Sequence, residues 1–445
     1  MTSTLRGHPG FRLLWVGDTI AQFGTAIASV VLPLLAVGVL HATPGQMGVL
    51  VAAETAAFLL IGLPAGAWVD RVRRRPLMIR MDLVRAALLL SIPVAGLLGV
   101  LSFTQLVVVA LLVGTCTVFF DIAYQSYLPA LVGRDHLMEG NAKLQASQSV
   151  AVFSGPALGG GLTGLIGAAT TLAGTGLGYL ASALCLSRIT TDEPRPERLP
   201  DRNLRAEVAE GLRFVVTNRR LRAIAGCTAS WNLFFGVQGA VLVLFMVRVL
   251  GLSPAAVGVV LGLTGVGGIV GAAVSARVIR VLGQARAIWL VPAVGALFGP
   301  LIPLAGPDWR LGLIVVGEVA IGFTGVVYNV AQISYRQAIC PDHLLGRMNA
   351  SIRFLVWGTL PLGALAGGAL GTALGIRQTM WIAVAGWALS CLWVVFSPLR
   401  TEREITTEAT EANGGHTTSN LAPRARTGGG LSSRRDAGPD HDVLG

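Results

Sequence analysis

Apolar residues run through this chain in long stretches separated by short polar gaps. Phe11–Leu40 is broken only by Arg12, Asp18 and a few small polar residues, and Val107–Val132 contains one charge, Asp121. A helix that crosses a bilayer takes about 20 mostly apolar residues. On that template the pattern predicts twelve helices, at about 11–40, 46–69, 77–100, 105–132, 143–165, 168–187, 223–250, 254–279, 287–305, 311–337, 349–373 and 379–398. The strict alternation of a membrane β-barrel is missing. The first stretch is about twice the length of a signal-peptide core, so it reads as an uncleaved span. Between the sixth and seventh helices lies a polar segment in which Leu204, Val208, Leu212 and Val215 recur every three or four positions. That spacing predicts an amphipathic helix lying on a membrane face.

Composition sharpens the picture. Hydrophobic residues make up 53% and charged residues 13%, with 57 glycines among 445 residues. A soluble domain carries about 25% charged residues, so a soluble enzyme and a disordered chain are excluded. The formal charge is +11, but its placement argues for a membrane rather than nucleic acid. With the predicted helices, 30 of the 34 basic residues fall on one side, Arg248, Arg310 and Arg377 on the other, and Arg85 inside the third helix. This positive-inside asymmetry predicts that both termini and the central loop are cytoplasmic. Arginines outnumber lysines, of which Lys143 is the one example, a bias expected of a GC-rich bacterial gene; a bacterial inner (plasma) membrane is the expected location. The five cysteines are scattered without a paired spacing, so neither a disulfide framework nor a metal site is expected.

The two halves resemble one another. Ser126-Tyr127, Asp135-His136-Leu137 and Asn141 recur about 207 residues later as Ser334-Tyr335, Asp342-His343-Leu344 and Asn349. The same shift carries Asp121 onto Asn329. Several matches in one order predict an all-α membrane protein built as two pseudo-symmetric six-helix bundles, with a substrate cavity at their interface and alternating access. The expected organisation is a first bundle at 1–187, a cytoplasmic linker at 188–222, a second bundle at 223–398 and a disordered tail at 399–445.

The motifs resemble those of the major facilitator superfamily. Gly66-x-x-x-Asp70-Arg71-x-x-Arg74-Arg75 is similar to that superfamily's loop 2–3 signature, with Trp68 and Arg73 as departures. Gly155-Pro156-x-x-Gly159-Gly160 is similar to its antiporter motif, although Ala151 replaces the leading glycine. Phe11-Arg12-Leu13-Leu14-Trp15 and Glu210-Gly211-Leu212-Arg213-Phe214 resemble the macrolide-efflux and enterobactin-exporter branch. The resemblance implies the major facilitator fold, a proton-driven exporter, a gating latch of Asp70 and Arg71 against the start of the eleventh helix near Arg347–Asn349, and a leak-preventing seal at Gly155–Gly160. Arginines 71–75 also serve as plain positive-inside anchors on the residues alone, and most glycines as packing positions. Gly62 with Gly66, and Gly160, Gly164, Gly267 and Gly271, offer small faces for close helix approach.

Five acids fall inside predicted spans. Asp82 stands three residues before Arg85, which predicts a local ion pair. Asp18, Glu54, Asp121 and Glu318 have no partner nearby in sequence, and a charge near the bilayer centre costs about 2.5–3.5 kcal/mol. These four are the candidate proton-coupling residues. Gln22, Tyr124, Gln125, Trp231, Asn232, Gln238 and Asn329 are candidates for the cavity wall, suited to a bulky amphipathic, cationic compound.

No Gly-Lys-Ser/Thr phosphate loop, HExxH or cofactor fingerprint is present, so neither an in-chain ATPase nor an enzyme is expected. The leading expectation is proton-coupled efflux of a hydrophobic or amphipathic drug by a monomer. It needs no cofactor beyond the proton motive force, and its partners are a small molecule, protons and lipid, not nucleic acid. Export of a siderophore or other metabolite, facilitated uptake, and a non-transporting receptor are the alternatives.

Overall fold

The computed structural model describes residues 8–69, 71–133, 136–190, 204–341 and 344–401, and among them every regular element is helical. The helices are α1 (Pro9–Gly38), α2 (Pro44–Val69), α3 (Arg74–Leu97), α4 (Phe103–Val132), α5 (Leu137–Ile166), α6 (Ala168–Ser187), α7 (Leu204–Thr217) and α8 (Arg219–Leu244). They continue as α9 (Pro254–Leu282), α10 (Gln284–Phe298), α11 (Leu301–Leu304), α12 (Leu311–Ile339), α13 (Leu345–Leu374), α14 (Ile376–Ser390) and α15 (Leu392–Val395). A π-helical turn, Phe245–Val249, extends α8.

Eleven of these segments are long and apolar enough to cross a membrane. The twelfth predicted span, α3, is missing from that set. Its 24 residues carry Arg74, Arg75, Arg80, Asp82 and Arg85, which dilute its apolar character. The helix ends follow local chemistry. Proline begins α1, α2 and α9, where its missing N–H leaves nothing unpaired. Ser102 and Ser253 accept the N–H groups of Gln105 and Ala256 as caps. Gly167 and Gly375 join α5 to α6 and α13 to α14 at φ +84° and +95°, a conformation glycine adopts without strain.

The repeat is visible in the register. Helices starting at Pro9, Pro44 and Arg74 recur at Arg219, Pro254 and Gln284, each 210 residues on. Those starting at Phe103, Leu137 and Ala168 recur at Leu311, Leu345 and Ile376, each 208 residues on. Packing repeats too: α1 lies against α5 and α6 as α8 lies against α13 and α14, and α2 against α4 as α9 against α12.

Two helix pairs make the main contact between the halves, α2 with α13 and α5 with α9, and α2 also packs on α8. Both cross on glycine. A Cβ on Gly48 would stand 2.7 Å from Gly368 Cα, and one on Gly160 would stand 2.6 Å from Gly258 Cα. At these points backbone touches backbone. Both crossings lie at the end opposite the arginine-rich loops. By contrast, a Cβ at Gly62 would meet open space, so the close approach predicted there occurs instead at Gly48.

The linker helix α7 packs on α8 and α13. Val215 is buried with Leu221, Met348, Ile352 and Val356, and Phe214 lies against them. Its apolar stripe is thus covered by protein at this end, where the sequence predicted a membrane face. Linker residues 191–203 and tail residues 402–445 lie outside the described residues.

Candidate functional site

The structure gathers the predicted site residues into three places. The first is a charge cluster among α1, α3, α4 and α6. Arg85 is fully buried and forms an ion pair with Asp82, as the three-residue spacing predicted. Its guanidinium lies 4.5 Å from the Phe120 ring centroid and 4.4 Å from that of Tyr179, and Nη1 donates to Thr117 Oγ1 at 3.4 Å. The Tyr179 hydroxyl is held in turn by Thr25 at 2.8 Å. Aromatic faces on both sides stabilise a desolvated guanidinium.

Asp18 interacts electrostatically with Asp121, Asp82 and Arg85, and Gln22 stands beside it. One oxygen each of Asp18 and Asp82, and the Nε of Arg85, have no hydrogen-bond partner. Asp82 holds the guanidinium directly, and Asp18 and Asp121 act on it through space. Asp121 also feels Arg353 of α13, in the second half. Sequence alone gave Asp18 and Asp121 no partner, because theirs comes from α3, over 30 residues away from each.

The second place is Glu318. Its carboxylate accepts from Gln238 Nε2 at 3.1 Å and from Thr264 Oγ1 at 3.0 Å, and it is buried between α8, α9 and α12. Gln238 is therefore a partner of Glu318 and not part of the cavity wall. Seven residues beyond Trp231 it keeps the same helix face but sits about 10 Å further along the axis. Glu54 stands alone on α2, with Oε1 buried and without a partner.

The third place is a cavity of about 670 Å³, within the range of small-molecule sites. It is lined from α8, α10, α12, α13 and α14, all of the second half, where the sequence predicted the interface between halves. Of the predicted wall residues, Trp231, Asn232 and Asn329 line it; Gln22, Tyr124, Gln125 and Gln238 do not. Gln125 is exposed and Tyr124 packs beside the charge cluster. Trp231 stacks between Phe235 and Trp387, with centroids 5.3 Å and 5.9 Å away. Asn232 donates to Val356 O, and Gln332 to Asn329 Oδ1.

Among the described residues the lining contains Arg336 and Arg353 and no carboxylate. That departs from the expectation of an acidic wall for a cation: Asp82 pairs with Arg85, Glu318 with Gln238 and Thr264, and Asp18, Asp121 and Glu54 are absent from the lining. In the sequence the two arginines count simply among the basic residues of the cytoplasmic side. The repeat was the overlooked signal, since 208 residues earlier their positions hold the uncharged Leu128 and Gln145.

The motif residues take structural positions. Gly155 and Gly159 face Ala26 and Ile27 of α1, whereas Gly160 and Gly164 face Gly258 and Ala255 of α9, so the Gly155–Pro156 motif packs one helix against two others. Gly267 and Gly271 face Val319 and Phe323 of α12. Arg75 donates to the carbonyls of Leu186 and Ser187 and caps α6. Arg71 is exposed and Arg74 half-buried. Asp70 lies outside the described residues, as do the side chains of Gly66 and Arg347. At the chain start, Trp15 Nε1 donates to Ser147, and Lys143, paired with Glu139, lies over the rings of Phe11 and Trp15.

Comparison with known proteins agrees with this architecture. A family described as transmembrane secretion effector matches residues 3–425. The multidrug efflux pump Tap of Mycolicibacterium fortuitum is 27% identical over 91% of this chain and 99% of its own. The enterobactin exporter EntS of Citrobacter koseri is 23% identical over 78% and 82%. In structure, a bacterial homologue of the human lysosomal transporter Spinster, inward-facing and occupied, superposes with a TM-score of 0.68 at 15% identity, covering 86% of this chain and 95% of that one. With eleven apolar spans, a family match over nearly its whole length and neighbours of the same fold, the chain belongs to the transmembrane secretion effector family of major facilitator superfamily transporters.

Proposed function

We propose that this protein is a proton-coupled exporter of an amphipathic small molecule, working as a monomer in a bacterial cell membrane by alternating access. In this reading α3 is the twelfth span, admitted to the bilayer because Asp82 and the two aromatic rings neutralise and shield Arg85. The helices then form two six-helix bundles, at 1–187 and 223–398, and the arginine-rich end with both termini is cytoplasmic. The cavity near Arg336 and Arg353 opens towards that side, and the glycine crossings close the other. The conformation is inward-facing.

The observation that carries the coupling is the position of Asp121. It belongs to the Arg85 cluster and also lies in the field of Arg353, at the rim of the cavity. Asp121 is half-buried beside two buried acids and one base, and a proton gained or lost there changes the field at the cavity. Glu318 and Glu54 are then secondary: the first is held by two hydrogen-bond donors, and neither is among the residues that line the cavity. The similarity to an efflux pump and to an exporter supports the outward direction.

The test is efflux of a drug panel from proteoliposomes with and without an imposed pH gradient. Wild-type protein should accumulate substrate against its gradient only when the pH gradient is present. Asp121→Asn should abolish that response and retain substrate exchange at equal pH. Unchanged pH-driven accumulation by Asp121→Asn would overturn the assignment.

A further inference from the structure

The repeat register places the cavity where the first half holds its charge cluster. Displaced by 210 residues, Asp18, Asp82 and Arg85 correspond to Thr228, Pro292 and Gly295; displaced by 208, Asp121 and Tyr179 correspond to Asn329 and Trp387. All five counterparts line the cavity. Replacing the long buried side chain of Arg85 by Gly295 leaves space, and losing the acids leaves the space without negative charge.

Positive charge enters the same space from a different direction. Arg336 is 8% exposed, lines the cavity, and has a buried Nε without a hydrogen-bond partner. Among the described residues, no carboxylate stands within ion-pair distance of it. An arginine that only anchors a helix extends to headgroups and water; this one is enclosed. Arg353, at the exposed rim, lies over Phe58 and Trp357 at 5.8 and 5.9 Å from their centroids. Two further polar atoms of the wall, Gln332 Oε1 and Trp387 Nε1, are buried and unpartnered. A buried cation without a counter-ion is costly, and a guanidinium matches a carboxylate in a two-point fork.

Resting on the transport reading above, we propose that the cargo of this site is an amphipathic organic anion, a flat aromatic body bearing a carboxylate or similar acidic group. The anion sits between Arg336 and Arg353, and the aromatic body lies on the Trp231–Trp387 stack. Asn329 and Gln332 recognise polar substituents between the two. Cationic amphipaths are disfavoured by the same arginines.

The experiment is equilibrium binding to the full chain in lipid nanodiscs at equal pH, read by quenching of tryptophan fluorescence. The probes are three compounds with one ring system: 1-naphthoate, 1-naphthamide and 1-naphthylmethylammonium. The naphthoate should bind at least tenfold tighter than the amide, and the ammonium should not compete. Arg336→Gln and Arg353→Gln should each lower naphthoate affinity about tenfold and leave amide affinity within twofold. Arg336→Lys should recover part of the loss. Arg353 is exposed, so its variant reads the charge even where Arg336→Gln folds poorly. Equal affinity for the anion and the amide, or preference for the cation, would overturn the proposal. No gradient is involved, so failure of pH-driven efflux counts against antiport and leaves the anion preference to stand or fall by itself.

Discussion

The two halves of this molecule share a helix register and differ in what fills the same interior position. In the first, Arg85 is clasped by Asp82, Phe120 and Tyr179 and faces Asp18 and Asp121. In the second, Gly295, Pro292, Thr228, Asn329 and Trp387 bound an open cavity. The difference shows how a duplicated scaffold divides labour. One copy fills the position with a buried ion pair and neighbouring acids, and the other, lacking those acids, leaves volume and aromatic surface there. Asp121 lies where these two domains of chemistry meet, through Arg353.

The comparison is most easily broken at Arg85. Arg85→Met removes the ion-pair partner of buried Asp82, and breaking such a buried pair costs about 3–5 kcal/mol. Thermal unfolding of the detergent-solubilised protein should show a large fall in Tm, far beyond that of Arg353→Gln at the rim. Equal losses for the two would deny that the first half is a structural charge node. The glycine crossings come next. Gly160→Leu or Gly258→Leu forces side chain into backbone, and overpacking costs about 1–3 kcal/mol. The closed end should open, detected as faster modification of a cysteine placed on its inner surface.

A subtler change concerns Glu318. Gln238→Leu leaves one carboxylate oxygen without its donor, an expected cost of about 1–3 kcal/mol, with naphthoate binding unchanged because Gln238 lies off the cavity. Loss of binding would move Glu318 into the cargo site. The smallest effect is expected at Gly62→Ala. The added methyl meets open space, and the helix gains about 0.5–1 kcal/mol of propensity, so the unfolding temperature should hold or rise slightly.

Much of the fold was legible because bilayer solvation imposes a simple rule on sequence. Helices predicted at 105–132 and 168–187 are observed at Phe103–Val132 and Ala168–Ser187. The errors have causes. The fifth helix starts at Leu137 and not near 143, since its first turns project beyond the apolar span and carry Glu139 and Lys143 as a half-buried pair. The ninth breaks between Phe298 and Leu301, at Gly299-Pro300. At the site, the Asp82–Arg85 pair could be read from spacing because it is local. The neighbours of Asp18 and Asp121 could not, as they depend on how four helices converge. Nor could the role of Arg336, because an arginine near a helix end has the same sequence signature whether it reaches for water or turns inward.

The linker helix has a consequence of its own. Val215 and Phe214 grip Met348, Ile352 and Val356 on α13, the same stretch that offers Ile352, Arg353 and Val356 to the cavity. The described part of the connection, α7, is thus docked on the second half. A displacement of α7 would be felt at the wall of the cavity. Severing the chain within it, or lengthening it beyond reach of that contact, would detune recognition without altering a single group that touches the transported molecule.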